Sequence, residues 1–459
     1  MSKPEHIMNK ALFMEIAERA WRYQEGILAR SVIPSTDAVA KLKELIDAPL
    51  PEQPTSATEV LDILDRYGSP ATIASTGGRY FGLVVGSTLP AALASSWLVS
   101  TWDQNAAAKI MAPGTVAIET VAARWILEIL SLPAQSGVGF VTGSTMAHFV
   151  CLAAARNQLL SNMGWDVEND GLFGAPPFRV IVSQDVHVSI IKVLGMLGLG
   201  RKRIERVPVD TEGRIVADQM PPLDNKTLVC IQAGNVHTGN FDPASEICAR
   251  AQEAGAWVHV DGAFGLWAAA SPKYAHLVQG VAAANSWGID AHKWLNVPYD
   301  CGIAVCRDSV PMQAALAVRS EYLVFDPQGE PEDFTPEMSR RARGIDVWAA
   351  LRSLGRTGMA DLVDRSCQYA QIFKTKLTEA GFEILNEVIL NQVLVAFGSD
   401  DQTNHIIDLI QQDGTTWCGG TTWKGHAAMR ISISSWCTTS GDIDKSIEAI
   451  IRIAKAVNS

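Results

Sequence analysis

Short apolar runs alternate with helical stretches from about residue 76 of this 459-residue chain, and this alternation limits its fold more than any other feature. Each run has the length and composition of a strand buried inside a sheet. The runs lie at 137–141, 179–182, 227–231, 257–260 and 286–289, and the helical stretches at about 145–160, 187–198, 243–255 and 273–283. The pattern predicts an α/β layered fold with a mostly parallel sheet.

The segments on either side of this region have different patterns. Residues 8–31 have the spacing of an amphipathic helix, and a Pro-rich stretch separates them from a short predicted helix at 58–67. Beyond residue 336, predicted helices at 344–357 and 360–380 precede strands at 393–397 and 429–433. We therefore expect a helical arm over residues 1–75, a large domain over 76–335 and a smaller α+β domain over 336–459.

Composition argues against several classes of partner. The net charge is −11 and the pI about 5.4, so the chain lacks the basic surface expected of proteins that bind nucleic acids or anionic membranes. No uninterrupted apolar run reaches the roughly 18 residues of a membrane span. The eight cysteines include no C-x-x-C pair and the histidines no H-E-x-x-H spacing. We expect a cytoplasmic protein with reduced thiols and no metal site.

Polar residues follow the predicted strands at their carboxyl ends, where ligands collect in open α/β sheets. The first strand is followed by a helix that opens with Gly143, Ser144 and Thr145. Free backbone N–H groups at a helix start suit a phosphate, although an ordinary glycine turn with a Ser or Thr cap has the same residues. The second strand is followed by His187, which could cap its helix, bind a ligand or stack on a flat ring.

Asp261 and Lys293 follow two further strands. A buried carboxylate needs a partner, so Asp261 either meets a cation or forms an Asx turn. Lys293 lies among apolar residues, where lysine is rare unless it is paired or reacts. One ligand accounts for all these positions if it carries a phosphate, a flat ring, a basic ring nitrogen and an aldehyde. That ligand is pyridoxal 5'-phosphate, held by Asp261 at its pyridine nitrogen and by Lys293 through a Schiff base.

The same residues lie in segments that resemble the pyridoxal-phosphate-dependent group II amino-acid decarboxylases, which include the aromatic-amino-acid and glutamate enzymes. The most specific segments are V-D-G-A-F-G (260–265), S-W-G-I-D-A-H-K-W-L (286–295) and T-P-E-M-S-R-R-A-R-G-I-D-V-W-A-A-L-R (335–352). Segments at 103–119 and 420–432 extend the resemblance over about residues 70–455. It implies a fold-type-I transferase with a mixed seven-stranded sheet, a small C-terminal domain and a homodimer with active sites at the subunit interface.

The resemblance also implies roles for individual residues. Lys293, Asp261 and His187 would be the catalytic residues, with His187 stacked on the cofactor ring. Ala263 would pack against the opposite ring face. The other implied cofactor contacts are Ser144 and His292 at the phosphate and Asn235 near the cofactor hydroxyl.

Tyr80 and Phe81 match a stretch that lines the substrate pocket in relatives, often from the partner subunit. Simple packing in the core is the alternative for both residues. As pocket residues they would favour an amino acid with an apolar or aromatic side chain. Arg340, Arg341 and Arg343 fit an exposed face equally well, and Lys424 and His426 lie in a loop that the family pattern leaves unassigned.

The implied reaction is decarboxylation of an L-amino acid to its amine. Relatives carry a mobile loop after the lysine segment, with a tyrosine that returns a proton to Cα. Here residues 323–335 contain no tyrosine, and its loss in this family can favour oxidative deamination to an aldehyde. His187 or Lys293 would then donate the proton. The alternatives are aldehyde synthesis, transamination or carbon–carbon cleavage with the same cofactor, or a non-catalytic homologue.

Overall fold

The computed structural model describes residues 10–318 and 329–458. Five helices precede the first strand: α1 (Lys10–Ile27), α2 (Thr36–Ile46), α3 (Ala57–Ile63), α4 (Pro90–Trp102) and α5 (Pro113–Ile129). Ser35 and Ser56 start α2 and α3, and each side chain accepts a hydrogen bond from a backbone N–H of the first turn. The predicted helix at 8–31 ends earlier, at Ile27, and α2 lies where the sequence pattern predicts none.

A seven-stranded sheet forms the centre of the molecule. Its strands are β1 (Gly137–Val141), β2 (Arg179–Ser183), β3 (Ile204–Val207), β4 (Thr227–Gln232), β5 (Trp257–Asp261), β6 (Ser286–Asp290) and β7 (Gly302–Cys306), in the order β1-β7-β6-β5-β4-β2-β3. β7 runs antiparallel to β1 and β6, and the other neighbours are parallel. The predicted mixed, mostly parallel sheet is confirmed, with β3 and β7 as strands that the apolar pattern did not predict.

Helices cover both faces of this sheet. One face carries α6 (Ser144–Ser161), the short α7 (Val167–Asp170), α8 (Val188–Met196) and α10 (Ser309–Leu316), and the other carries α5 and α9 (Ala244–Ala254). Side chains alternate along each strand, so Val180 and Val182 pack on the α6 side while Ile181 packs on the other. By the same alternation, His259 and Asp261 on β5 both point toward α6.

A second, four-stranded antiparallel sheet follows the long helix α11 (Gly344–Glu379). Its order is β10-β11-β9-β8, and its elements are β8 (Glu383–Ile384), β9 (Gln392–Ala396), α12 (Asp400–Asp413), β10 (Gly419–Trp423), β11 (His426–Ser432) and α13 (Ser440–Asn458). Gly355, at a φ of 61°, breaks α11 between the two helices predicted there. Among the described residues, no helix has both the length and the apolar character needed to cross a bilayer.

One predicted helix is wrong. Residues 273–283 form two short 3-10 turns, at Ala275–Val278 and Val281–Ala283, instead of an α-helix. Gly280 lies between them in the left-handed region, at a φ of 83°, so the chain cannot continue as one helix. The apolar residues of this stretch pack against the larger core from turns rather than from a helical face.

Candidate active site

The site lies where β1, β5 and β6 end and α6 begins. Ser144, the first residue of α6, donates its backbone N–H to Oδ1 of Asp290, at the end of β6, over 2.6 Å. Oδ2 of Asp290 lies 3.1 Å from Nζ of Lys293. The carboxylate of Asp290 therefore links the N-terminus of α6, which favours negative charge, to the ammonium group of Lys293.

Glycines give the turn before α6 its shape. A Cβ on Gly302 would lie 2.3 Å from the carbonyl carbon of Gly143, so only glycine allows β7 to pass this closely. A Cβ on Gly143 would lie 3.3 Å from the ring of His292. Thr145 follows in the first turn of α6 and is half-buried. The turn is thus shaped by its backbone, and binding of a phosphate by Gly143, Ser144 and Thr145 stays a prediction.

Contacts of the backbone, rather than of the side chain, fix the position of Lys293. Its side chain keeps 19% of its surface exposed, whereas its carbonyl oxygen would lie only 2.0 Å from a Cβ on Gly86. Asn296, in the following turn, is fully buried and has all of its side-chain hydrogen-bonding groups engaged. Its Oδ1 accepts from the N–H groups of Ser87 and Trp436, and its Nδ2 donates to the carbonyls of Trp294 and Ser434, at distances of 2.7–3.0 Å. This residue fixes the lysine turn to two remote segments.

His292 faces the same end of the site. Its Nδ1 accepts a hydrogen bond from the N–H of Cys301 at 3.2 Å, and its Nε2 lies 3.5 Å from Oδ1 of Asp290. The ring stacks on Tyr299, with 4.3 Å between the centroids. Burial lowers the pKa of His292 and raises that of Tyr299 to about 12. Both rings are therefore neutral near pH 7, and Nε2 is left to carry the imidazole proton.

Asp261 is buried and charged. Its Oδ1 accepts the N–H of Ala263 at 3.1 Å, and its Oδ2 lies 3.5 Å from Nε2 of His148. Burial alone would raise the pKa of the Asp261 carboxyl, but His148, His187 and Lys293 together hold it well below its ordinary value. The Asx turn and the cationic surroundings, alternatives in the sequence, occur together on different oxygens of the same side chain.

His187 caps α8 and belongs electrostatically to the site. Its Nδ1 accepts from the N–H of Ser189 at 3.3 Å and lies 2.8 Å from the Ser189 hydroxyl, so the neutral ring carries its proton on Nε2. Burial lowers the pKa of His187, Asp261 raises it, and Lys293 lowers it further. The capping interpretation is confirmed by the bond to Ser189, and the contact of His187 with a cofactor ring stays a prediction.

Tyr80 and Phe81 have separate surroundings. Tyr80 stacks on Trp417, at 5.0 Å and 9° between the rings, and lies close enough to Arg430 for that charge to act on its phenol. Phe81 packs edge-to-face on Phe373 in the core of the smaller sheet and is only 1% exposed. The structure therefore brings Tyr80 to the site but leaves Phe81 in the hydrophobic core.

Asn235 is engaged within its own loop. Its Oδ1 accepts from the N–H groups of His237 and Thr238, and its Nδ2 donates to the carbonyl of Gly213 at 3.4 Å. Ala263, by contrast, lies two residues after Asp261, is buried, and donates its backbone N–H to Oδ1 of that carboxylate. Asn235 thus has a structural explanation that needs no ligand, whereas the contact of Ala263 with a cofactor ring stays a prediction.

Three site residues escaped the sequence analysis. Asp290 is adjacent to a predicted strand end and was the easiest to find. His148 lies one helical turn after Ser144, on the α6 face that packs against the sheet. Arg430, on β11, is buried, donates to the carbonyl of Val236, and its charge acts on His187 and Tyr80. No local pattern marks an arginine that reaches the site from the smaller sheet.

The residues fit pyridoxal 5'-phosphate. A glycine-bounded helix start suits the phosphate, a buried charged carboxylate suits the ring nitrogen, and the ammonium of Lys293 lies between these two groups and acts on both acids. Within the described residues, no three His, Cys, Asp or Glu side chains cluster as metal ligands would.

Comparison with known proteins identifies the family. Residues 40–398 match the pyridoxal-dependent decarboxylase conserved domain, which is most of the chain. The protein therefore belongs to the pyridoxal-dependent decarboxylases, and its cofactor is pyridoxal 5'-phosphate.

Its relatives act on more than one substrate. The aromatic-L-amino-acid decarboxylase of Bacillus atrophaeus is 25% identical over 352 residues, covering 74% of this chain and 71% of that protein. A phenylacetaldehyde synthase of a Rosa hybrid cultivar is 25% identical over 378 residues, covering 78% and 73%. The crystal structure of Oryza sativa TDC with PLP and tryptamine superposes with a TM-score of 0.90 at 19% identity over 99% of both chains, which supports the fold-type-I architecture.

Proposed function

We propose that the protein decarboxylates an L-amino acid to the corresponding amine, with pyridoxal 5'-phosphate bound covalently to Lys293. The observation that carries the proposal is the electrostatic group of Asp261, His187 and Lys293 beside the N-terminus of α6. When bound, the cofactor supplies the electron sink for the pair of electrons left at Cα. The protein's own part is binding, orientation and control of protons.

Each end of the site has a separate task in this proposal. Gly143, Ser144 and Thr145 would hold the phosphate at the helix start, and the charge of Asp261 would keep the ring nitrogen protonated. His187 and Ala263 would confine the ring between them. Lys293 would move from Asp290 to hold the aldehyde group, and its amine would be available to hold a proton near Cα.

The substrate enters beside Arg430 and Tyr80. The buried guanidinium of Arg430 attracts the carboxylate of an amino acid, and the stacked rings of Tyr80 and Trp417 offer a flat wall to its side chain. We therefore propose an apolar or aromatic amino acid as substrate. Names of relatives, such as the aromatic-L-amino-acid decarboxylase of Bacillus atrophaeus, agree with this class.

Aldehyde synthesis is the second candidate, favoured by one observation. Residues 323–335 contain no tyrosine, and phenylacetaldehyde synthases are among the relatives. Residues 323–328 of that loop lie outside the described residues. In this reaction the amino acid, dioxygen and water give an aldehyde, carbon dioxide, ammonia and hydrogen peroxide. In the decarboxylase reaction, His187 or Lys293 supplies the proton that relatives take from the loop tyrosine.

The decisive experiment is an amino-acid panel on cofactor-saturated protein, measuring carbon dioxide, amine, ammonia and peroxide together. Carbon dioxide with amine and no peroxide supports the decarboxylase, and carbon dioxide with ammonia and peroxide supports the aldehyde synthase. No carbon dioxide from any amino acid would contradict both. Borohydride reduction followed by mass spectrometry should attach the cofactor to the wild type and to Lys192→Ala, an exposed lysine of α8, but not to Lys293→Ala.

We also propose a homodimer in the cytoplasm. Two of the first helices and the turn before α5 expose large apolar side chains that a second copy would cover, namely Trp21 (62% exposed), Leu98 (52%) and Ile110 (75%). All eight cysteines lie in the described ranges and carry free thiols, as expected in a reducing compartment. Light scattering of the purified protein should give twice the chain mass, and Leu98→Glu should reduce it to one.

A further inference from the structure

A series of buried polar side chains lies behind Asp261, and the proposed function does not use it. Nε2 of His148 lies 3.5 Å from Oδ2 of Asp261, and its Nδ1 lies 2.9 Å from Nε2 of His259. Nδ1 of His259 in turn lies 2.9 Å from the Ser286 hydroxyl, which also meets the indole N–H of Trp257 at 3.0 Å. His148, His259 and Ser286 are each 0% exposed.

The two ends of this series fix the direction of its hydrogen bonds. The indole of Trp257 can only donate and the ionised Asp261 can only accept. Ser286 therefore accepts from Trp257 and gives its hydroxyl proton to Nδ1 of His259. Nε2–H of His259 then donates to Nδ1 of His148, which places the remaining proton on Nε2 of His148, facing Asp261.

The backbone makes room for the series. His259 and Asp261 are two residues apart on β5 and share the α6 face of the sheet. A Cβ on Gly288, in β6, would lie 2.4 Å from Nδ1 of His148, so any larger residue there would displace the imidazole ring. Glycine at 288 and histidine at 148 are therefore a matched pair.

The need of buried polar groups for hydrogen-bond partners does not by itself explain this arrangement. Nε2 of His148 is buried and has no hydrogen-bond partner within the described structure, because 3.5 Å is long for a bond to Asp261. A buried N–H without a full partner is costly and is rare unless it serves a function. The carboxylate oxygen 3.5 Å from this nitrogen belongs to Asp261, which the proposed function assigns to the cofactor ring nitrogen.

A further titratable side chain, Cys151, lies next to the series. Cys151, one turn further along α6, lies against His259. Its thiol contacts the carbonyl oxygens of Trp287 and Val305 at 3.5 Å and also interacts with the ring of His259, so it forms a side branch of the series. Among the groups that lower the pKa of Asp261, His148 has the largest effect.

We propose that His148, oriented by His259 and Ser286, is a positioning residue that fixes Oδ2 of Asp261 toward the ring nitrogen of the cofactor. The N–H of His148 stabilises the carboxylate as an anion in a buried setting and prevents it from rotating away. The ring nitrogen then stays protonated, which keeps the electron sink effective. This inference rests on the proposed role of Asp261 in the function above.

The test compares His148→Leu, which removes the donor, with His148→Gln, whose amide nitrogen reaches about as far as Nε2. NMR of an isotope-labelled ring nitrogen in the bound cofactor reports its protonation directly, without turnover. We expect the wild type and His148→Gln to keep the ring nitrogen protonated, and His148→Leu to lose that proton as the pH rises. In His148→Leu, kcat should fall about tenfold with KM nearly unchanged. The exposed His276→Gln is the control.

A double mutant separates positioning from general damage. Because His148 acts through Asp261, adding His148→Leu to Asp261→Asn should lower kcat by less than about threefold, whereas independent effects would multiply. If His148→Leu fails to fold by gel filtration and circular dichroism, Ser286→Ala breaks the same series with a smaller change and should also lower the ring-nitrogen protonation.

The two proposals fail in different ways. A wild type that binds no cofactor or releases no carbon dioxide contradicts the proposed function. A wild type that is active and depends on Asp261, while folded His148→Leu keeps both its kcat and a protonated ring nitrogen, overturns the positioning role alone. Losses that multiply in the double mutant would overturn it as well.

Discussion

The two ends of the site are formed by different kinds of chemical group. At the end proposed for the phosphate, called the phosphate end (Gly143, Ser144 and Asp290), the backbone and glycines form the site, and the neighbouring Lys293 side chain is 19% exposed. At the end proposed for the ring nitrogen, called the ring-nitrogen end (His148, His259, Asp261 and Ser286), side chains from one helix and two strands meet in the buried core.

The difference teaches which changes each end can tolerate. The phosphate end depends on where the backbone runs, so it is sensitive at glycines and less so at side chains. The ring-nitrogen end depends on the identity and proton placement of every side chain, because a buried polar group without its partner is costly. Changes at the phosphate end should therefore mainly alter the affinity for the cofactor. Changes at the ring-nitrogen end should mainly alter kcat.

Asp261→Asn should give the largest difference between the effects on kcat and on cofactor affinity. Loss of the charge leaves the ring nitrogen without an anionic partner, so kcat should fall about 100- to 1000-fold. Cofactor affinity should change by less than about tenfold, because the phosphate end is intact. Asp242→Asn is the matched control, since Asp242 is also buried but bonds to the N–H groups of Ile215 and Gln232. Equal losses of affinity and kcat in Asp261→Asn would contradict the division.

Gly302→Ala tests the phosphate end. Its Cβ would lie 2.3 Å from the Gly143 backbone, so the turn before α6 must move. We expect cofactor affinity to fall at least about tenfold and the free energy of unfolding to drop by about 1–3 kcal/mol. Cofactor titration and urea unfolding measure the two effects. Gly114→Ala, in the first turn of α5 with open space around it, should change neither.

His237 adds a smaller test in a third region, where the two sheets meet. Its Nδ1 lies 3.1 Å from the Thr421 hydroxyl, and burial lowers its pKa to about 4. The unfolded chain takes up this proton near its ordinary pKa, so folding stability should be lost as the pH falls from about 6.5 to about 4. His237→Asn should remove about 2 kcal/mol of that loss.

Unfolding curves measured across this pH range check the expectation for His237. The exposed His276→Asn serves as the reference variant. Identical pH profiles for the wild type and His237→Asn would contradict the buried, neutral state of His237.

Local patterns predicted much of the fold and drew attention to several residues of the candidate site. Five strands of the larger sheet carry continuous apolar runs, and the positions of Gly143, His187, Asp261 and Lys293 follow from the ends of strands. The strand β7 was missed because it follows the lysine turn directly, without an intervening helix. The helix predicted at 273–283 was wrong because the prediction relied on the apolar composition of this stretch and gave too little weight to Gly280.

Residues that reach the site from afar had no local signal. His148 is the one polar residue of the apolar stretch 146–150 of α6, and only the packing of α6 on β5 shows that it meets Asp261. Arg430 comes from the smaller sheet, whose position relative to the larger one no periodicity encodes. Phe81 shows the opposite case. The resemblance matched both Tyr80 and Phe81 to the substrate pocket, but Tyr80 stacks on Trp417 near the site whereas Phe81 packs in the core.

Asn296 has a consequence for how the enzyme is made in the cell. The turn that carries Lys293 is tied through this one amide to Ser87, made 209 residues earlier, and to Ser434 and Trp436, made 138 and 140 residues later. Domains fold largely in the order in which the ribosome releases them, and long-range contacts form late. Capture of the cofactor should therefore wait until Ser434 and Trp436 have left the ribosome, so shorter ribosome-bound chains should stay free of it.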